Sequence, residues 1–416
     1  MLAPTIDLYS PDTYVDAPPH AEFERLRRDE PITWVTMPDG TGYWLVLRHA
    51  DVVTVARETK IFSAELGGVV VEDLAPESLV AMRQMLLAMD PPRHVAHRRN
   101  VSPQFRVRVI AGLEGRIREI CCEIMDRAEA RADDGATIDF VHDVAAHLPS
   151  QVVGELMGLP REDWPAIHAM AERNSGGQDP DINPDGADRS SDDLAKNAAS
   201  ASIDMAMYAI GFAAKRREAP RQDDLTSLIL ESEVDGRPMT DAEFGSFFVQ
   251  LVTAGNDTTR TMLSSGLDAL LDHPETFEHV RSNRADIPGM VEEVLRWANP
   301  LHYFRRTTTE ATELGGQPIE AGQKVAMCYT SANRDASVFD DPHTFDITRD
   351  PNPHLSFGVG EHFCLGAHLA RLEGRVFFEE LFDRFSVIER RGPSARQRSN
   401  LNNSLKGLPV SLASSP

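Results

Sequence analysis

The sequence predicts a mainly α-helical protein with a small β component, and three observations carry that prediction. Residues 240–273, TDAEFGSFFVQLVTAGNDTTRTMLSSGLDALLDH, read as one long helix that opens on a Thr cap and is apolar nearly all round in its middle, so it is expected to run through the core. Further helical patterns cover residues 106–132, rich in Arg, Glu and Ile, and the stretch that starts near 365. Strand-like runs are confined to residues 32–48 and to short segments between 303 and 328.

In chain order, ITWVTMPDGTGYWLVLR (residues 32–48) reads as two strands joined by a PDG turn, and residues 49–58 as a helix. Residues 175–190, SGGQDPDINPDGADRS, are Gly, Pro, Asp and Asn without apolar period. They read as a loop between helices near 162–173 and 191–217, a lid or a plain surface linker. A helix over about 285–298 stops before Pro300. Strands follow near 303–309, 312–319 and 323–328 with GG and AG turns, then an irregular Pro- and Asp-rich stretch from 335 to 356. Neither internal repeats nor low-complexity segments are found.

The chain has 416 residues and a formal net charge of −23. So acidic a surface disfavours nucleic acid as a partner. The N-terminus lacks the basic and apolar regions of a secretory signal, and no uncharged stretch is long enough to span a bilayer. The protein is therefore expected to be cytoplasmic, without a membrane anchor. Four cysteines (Cys121, Cys122, Cys328, Cys364) in a chain of this length make no disulfide framework, and Cys121 and Cys122 read as small core residues or spectators. No CxxCH motif points to covalent haem attachment.

The most informative stretch is Phe357-Gly-Val-Gly-Glu-His-Phe-Cys-Leu-Gly366. Cys364 ends a Gly-rich loop just before a helix, whose positive end and free N–H groups favour thiolate over thiol. Gly358, Gly360 and Gly366 allow a sharp turn and close approach to a flat cofactor, and Phe357 is placed to shield the sulfur. The pattern FxxGxxxCxG followed by a helix resembles the haem-binding signature of the cytochrome P-450 family, with Phe357, Gly360, Cys364 and Gly366 at its defining positions.

Other segments extend the resemblance over nearly the whole chain. Ala254-Gly-Asn-Asp-Thr258 is similar to the family's oxygen-activation segment: on a helix, 247, 250, 251, 254 and 258 share a face, Ala254 and Gly255 leave room for O₂, and Asp257 and Thr258 resemble an acid–alcohol pair that relays protons. Glu293-Val-Leu-Arg296 matches the ExxR motif, and the arginine that completes its structural trio falls on Arg349. His94, Arg98, Arg306 and His362 stand where the family supplies partners for the haem propionates, with a register ambiguity between Arg305 and Arg306. By the same resemblance, Gln250, Thr253, Ala254, Leu301, His302, Phe304 and Leu405 face the haem, and residues 67–89 form an apolar wall above it.

The resemblance implies a single domain over residues 1–416, a triangular helical prism with a small β lobe. It implies a haem-thiolate monooxygenase binding haem b through Cys364, taking O₂ and two external electrons to hydroxylate a hydrophobic small molecule such as a terpenoid, sterol or branched lipid. A monomer is expected. No GxGxxG opens a βαβ unit, so the electrons are expected from a ferredoxin-type donor with a separate reductase, met by Arg99, Arg106, Arg108, Arg371 and Arg375. The alternatives are a haem-thiolate peroxygenase using H₂O₂, against which Asp257 and Thr258 count, and a haem-based sensor or ligand-binding protein, against which the absence of an appended signalling domain counts.

Overall fold

A computed structural model describes residues 3–132, 136–182, 191–234 and 236–414. Early in the chain stand α1 (His20–Asp29), β1 (Ile32–Thr36), β2 (Gly42–Val46), α2 (His49–Arg57), β3 (Phe62–Ser63) and α3 (Pro76–Met82). The middle is helical: α4 (Arg93–Val101), α5 (Val107–Ala111), α6 (Glu114–Ala132), then β4 (Ile138–Asp139), α7 (His147–Leu156), α8 (Trp164–Ser175), α9 (Ser191–Glu218) and α10 (Leu225–Glu231). A small hairpin, β5 (Glu233–Val234) and β6 (Arg237–Pro238), leads to α11 (Asp241–Asp272), α12 (Pro274–Ser282) and α13 (Ile287–Trp297). The later strands are β7 (Tyr303–Thr308), β8 (Thr312–Leu314), β9 (Gln317–Ile319) and β10 (Lys324–Cys328). The chain closes with α14 (Tyr329–Ala332), α15 (Ala367–Arg384), β11 (Phe385–Arg390), β12 (Ala395–Arg396), β13 (Leu405–Gly407) and β14 (Pro409–Ser414).

The central helix forms as its sequence dictates. Thr240 Oγ1 accepts from the Glu243 N–H at 3.2 Å, and Glu243 Oε2 accepts from the Thr240 N–H at 2.8 Å, a reciprocal cap that satisfies two donors. From there α11 runs buried through the main core, packed by α7, α8, α9, α13 and α15. Gly266 and Gly374 let this centre close tightly: a Cβ on Gly266 would lie 2.9 Å from Phe378, and one on Gly374 2.9 Å from Met262. The main sheet sits apart, in the order β1-β2-β10-β7-β3. Its two faces carry separate apolar clusters, one with Trp44, Val46 and Val325, the other with Tyr43, Leu45 and Ala326, as the alternation of strand side chains requires.

Two expectations need correction. The helix expected over 106–132 is two helices, α5 and α6, parted at Gly112 and Leu113, whose N–H groups turn back to Val109 and Ile110 at 3.0 and 2.9 Å. Glycine is a poor helix former, and its position after one helical turn breaks the run. The loop expected over 175–190 holds a short helical turn at Pro180–Ile182, and residues 183–190 lie outside the described residues.

The ExxR expectation takes a definite form. Arg296 and Glu293 are fully buried and joined by two hydrogen bonds of 2.7 and 2.8 Å. Arg296 also donates to the carbonyls of Asn333, Pro342 and Thr344 at 2.9 to 3.0 Å. Glu293 accepts from the Asp346 N–H and from Asn352, and lies 3.5 Å from Arg349 Nε. Asn333 in turn holds Leu355 and Ser356, and Ser356 donates to the Leu295 carbonyl at 2.6 Å. One buried ion pair thus anchors the irregular 335–356 stretch immediately before the cysteine loop. Removing one member strands the other's charge in the core, so Arg296→Ala is expected to lower stability by about 3–5 kcal/mol. Urea unfolding of the variant against the parent measures this.

Candidate functional site

The cysteine loop follows from its glycines. Gly358 and Gly360 adopt φ of +66° and +77°, conformations that side-chain-bearing residues rarely take. These turns let the Cys364 N–H return to the Phe357 carbonyl at 2.8 Å, after which α15 begins. The Phe357 ring is held by the Arg371 guanidinium, 4.6 Å above its centroid, and Arg371 is fixed by Glu292 at 2.6 Å.

Cys364 opens on a cavity of about 260 Å³ between this loop and one face of α11. The α11 wall presents Phe247, Gln250, Leu251, Ala254, Gly255 and Thr258, the face that helical spacing predicts. The loop side presents Phe357, Gly358, His362, Cys364 and Gly366, and α4 and β7 add His94, Arg98 and Arg306. Leu86, Leu301 and Phe304 complete the apolar lining among the expected positions.

Four basic groups meet at one end. His94 and His362 lie with ring centroids 4.2 Å apart. Arg98 donates to the Phe363 carbonyl at 2.5 Å, and Arg306 to the Arg305 carbonyl at 2.9 Å. None of the four makes an ion pair among the described residues, and both ring nitrogens of His94, Nε2 of His362 and Nε of Arg306 are buried without a hydrogen-bond partner. Burial, reinforced by the neighbouring cations, pushes His94 down to about 4 and His362 down to about 2. Burial also lowers Arg98 and Arg306. A cluster of buried donors without acceptors fits an anionic, carboxylate-bearing group in the cavity, because such groups are otherwise costly to bury. Haem, with two carboxylates and an iron that takes a single sulfur, matches that donor set, and no cluster of three His, Cys, Asp or Glu among the described residues offers a rival metal site.

Cys364 differs from the sequence expectation. Burial pushes its thiol up, against the Gly366 N–H and the charges of Arg98 and Arg371, which pull it down. The helix end and cations act as expected but are outweighed by desolvation, and a bound metal cation is what reverses that balance.

Several expected site residues lie elsewhere. Asp257 does not line the cavity: its carboxylate pairs with Arg260 and accepts from Ser404 at 3.2 Å, on the far side of α11. Thr253 meets Asn174 of α8 at 3.3 Å. His302 is buried against Tyr14 and bonded to Thr330 at 2.8 Å; it stands one residue before β7, outside the strand alternation that turns Phe304 and Arg306 to the cavity. Leu405 belongs to the main core. Gly360 sits behind the loop, where a Cβ would lie 3.1 Å from the Ala56 carbonyl. Gly255 does line the cavity, at a tight helix contact where a Cβ would lie 2.8 Å from Val153 of α7, itself a lining residue.

The register of β7 settles the arginines: Arg306 faces the cavity, and Arg305 pairs with Asp73 at 3.0 Å. Of residues 67–89 only Leu86 and Leu87 reach the lining, while α3 buries nothing. The expected surface patch is partly neutralised, since Arg371 pairs with Glu292 and Arg375 with Glu114 and Glu379. Thr258 donates to the Ala254 carbonyl at 2.6 Å, the helix back-bond open to any threonine at this depth. Sequence reasoning missed Phe105, Val153, Leu156, Leu225, Tyr329 and Glu373 in the lining. The apolar ones carry no local signal, and only tertiary packing brings them together.

With the geometry in place, comparison with known proteins gives one answer. The family model described as Cytochrome P450 matches residues 16–408. The steroid C26-monooxygenase of Mycolicibacterium smegmatis is 36% identical, over 97% of this chain and 94% of its own length. The methyl-branched lipid omega-hydroxylase of Mycobacterium bovis is 38% identical, over 93% of this chain and 90% of its own. The crystal structure of Mycobacterium marinum cytochrome P450 CYP268A2 in complex with pseudoionone superposes with a TM-score of 0.89 at 35% identity, covering 99% of each chain.

The basic cluster makes a prediction for the protein without cofactor. The folded chain refuses a proton at His94 that the unfolded chain binds between the ordinary histidine value of 6.5 and about 4. That group's contribution to stability is therefore present above pH 6.5 and lost as pH falls through this window. Stability measured against pH is expected to show this loss in the parent and less of it in His94→Gln.

Proposed function

The chain belongs to the cytochrome P450 family, and on that premise we propose that Cys364 carries haem b as its thiolate ligand while His94, Arg98, Arg306 and His362 bind the two propionates. The protein is a monooxygenase of hydrophobic substrates that uses O₂ and electrons from redox partners. One observation supports the residue assignment above the others: the sulfur of Cys364 and four basic side chains without an anionic partner among the described residues converge on a single cavity. Bound there, haem supplies an iron at which dioxygen is reduced and cleaved, and an anionic sulfur ligand favours that cleavage.

The remaining work falls to the chain. Phe247, Leu251, Ala254, Leu301 and Phe304 exclude water and hold an apolar molecule against the cofactor. Gln250 Oε1, buried in this wall without a partner, accepts a hydrogen bond from a hydroxyl or amine on the substrate. Thr258 presents its hydroxyl at the cavity wall and positions a proton there. Asp257, held by Arg260 and Ser404, connects that wall to a buried polar network that includes Glu172 through Arg260 at 2.7 Å.

The names of the relatives support a terpenoid, sterol or branched lipid as substrate. A ferredoxin-type protein with its own reductase delivers the electrons. Arg99, Arg106 and Arg108, which make no ion pair among the described residues, contribute to its docking. The chain works as one domain over residues 1–416 and as a monomer in the cytoplasm. Among the described residues no helix is long and apolar enough to cross a membrane.

Two measurements test this reading. The reduced protein under carbon monoxide is expected to show the strongly red-shifted Soret band of thiolate ligation, and Cys364→Ser to lose it. An unshifted band in the folded parent protein contradicts the assignment. Thr258→Ala is expected to keep haem and substrate binding but to divert at least half of the electrons to hydrogen peroxide, measured as peroxide and product formed per electron consumed. Full product yield per electron removes Thr258 from the proton relay.

A further inference from the structure

One buried titratable group in the cofactor cavity is used by none of these roles. Glu373 stands on α15, the helix that begins three residues after Cys364, and its side chain reaches the cavity lining beside Leu369, Ala370 and Met262. It is 3% exposed, and its Oε2 is buried without a hydrogen-bond partner. Every other acidic residue on α15 is paired: Glu379 with Arg118 and Arg375, Glu380 with Arg118, and Asp383 with Arg284. Arg371 and Arg375 on the same helix are engaged by Glu292 and Glu114.

An ionised carboxylate is costly in such a place. Burial alone pushes Glu373 up to about 8, with no charged side chain contributing. The titratable group that faces it from α6 is Cys121, whose thiol is itself pushed up by burial and by Glu373. At the neighbouring Gly374, α15 packs against Met262 of α11 and Val291 of α13, neither of which can titrate. The pair Glu292–Arg371, between α13 and α15, is already satisfied. A leucine would pack this position without the desolvation penalty, so the acid costs stability where it stands. Buried carboxyls kept neutral in a reaction cavity are a recurrent sign of function.

We propose that Glu373 is a positioning residue for charge: a proton-holding carboxyl in the cofactor wall that couples arrival of an electron in the cavity to the binding of one proton. This rests on the haem-thiolate reading. The step balances simply. The external donor protein gives one electron to ferric iron, which becomes ferrous, and one proton from solvent adds to a Glu373 carboxylate oxygen to form its O–H bond. No other bond changes. Where the carboxyl is already protonated, the electron enters without a proton.

The test is the midpoint potential of the haem-loaded protein across neutral to alkaline pH, for the parent, Glu373→Gln and Glu373→Met. The parent potential is expected to be level at neutral pH and to fall above about pH 8, approaching about 59 mV per pH unit, the tenfold equivalent of a one-electron couple. Both variants are expected to lack that fall. A parent without the slope, or a variant that keeps it, overturns the proposal.

Unfolding of the full chain gives an independent readout. The folded parent holds a proton that the unfolded chain has released above 4.5, so its stability is expected to fall as pH rises from 4.5 to about 8. Glu373→Gln is expected to lose this component, and its persistence overturns the proposal. If the parent lacks the thiolate signature under carbon monoxide, the functional reading fails, while the unfolding profile still decides whether the carboxyl is protonated.

Discussion

A cavity walled on one side by hydrocarbon and on the other by basic groups without anions is the constraint on which the rest of the structure depends. Two arginines and two histidines, drawn from α4, β7 and the cysteine loop, line it without an ion-pair partner among the described residues, and His94, His362 and Arg306 keep buried nitrogens unsatisfied. Proteins rarely leave such groups unpaired, because each lost hydrogen bond inside costs about 1–3 kcal/mol. The arrangement becomes favourable when a group carrying two carboxylates occupies it, and the sulfur of Cys364 faces the same space. Burial, which on its own favours the protonated sulfur and the neutral histidines, would also strengthen their attraction to an iron and two carboxylates.

Holding this site in place is a problem of bracing irregular backbone. The 335–356 stretch and the cysteine loop have little regular structure of their own. Their order comes from Glu293 and Arg296, fully buried on α13, which share hydrogen bonds with the backbone ahead of the loop at Asn333, Thr344 and Asp346. Arg371 performs a smaller version of the same task, stacking on Phe357 while bonded to Glu292. Charged groups, fully buried at Glu293 and Arg296 and half-buried at Arg371 and Glu292, thus brace the loop rather than line the cavity. The long helix α11 supplies the opposite wall, which carries Thr258 and Gln250.

Much of this was legible in the sequence, and the reasons for success and failure are physical. The α11 face was readable because helical geometry places Phe247, Gln250, Leu251, Ala254 and Thr258 in one row whatever surrounds them. The cysteine loop and ExxR pair were readable because their chemistry is local and their residue types unusual. Side-chain direction within β7 was not: alternation requires that one of Arg305 and Arg306 turn away, but only the pairing with β10 decides which. Asp257 was read by resemblance as the acid of a proton relay, and its position behind the wall, paired with Arg260 and Ser404, was not legible locally. Walls built from Phe105, Leu156 and Leu225 left no trace, because an apolar residue that lines a cavity reads like any other core residue. Glu373 was hidden for a different reason: on an amphipathic helix rich in Glu and Arg, nothing local marks the one acid that points inward.

The central claim is that one sulfur and four basic groups bind two ends of the same cofactor. A crystal structure of the haem-loaded protein measures both at once. The account predicts an iron bonded to the sulfur of Cys364, and two propionates paired with Arg98, Arg306, His94 and His362. An iron ligated by any other side chain, or propionates turned to different partners while these four stay unpaired, would contradict it.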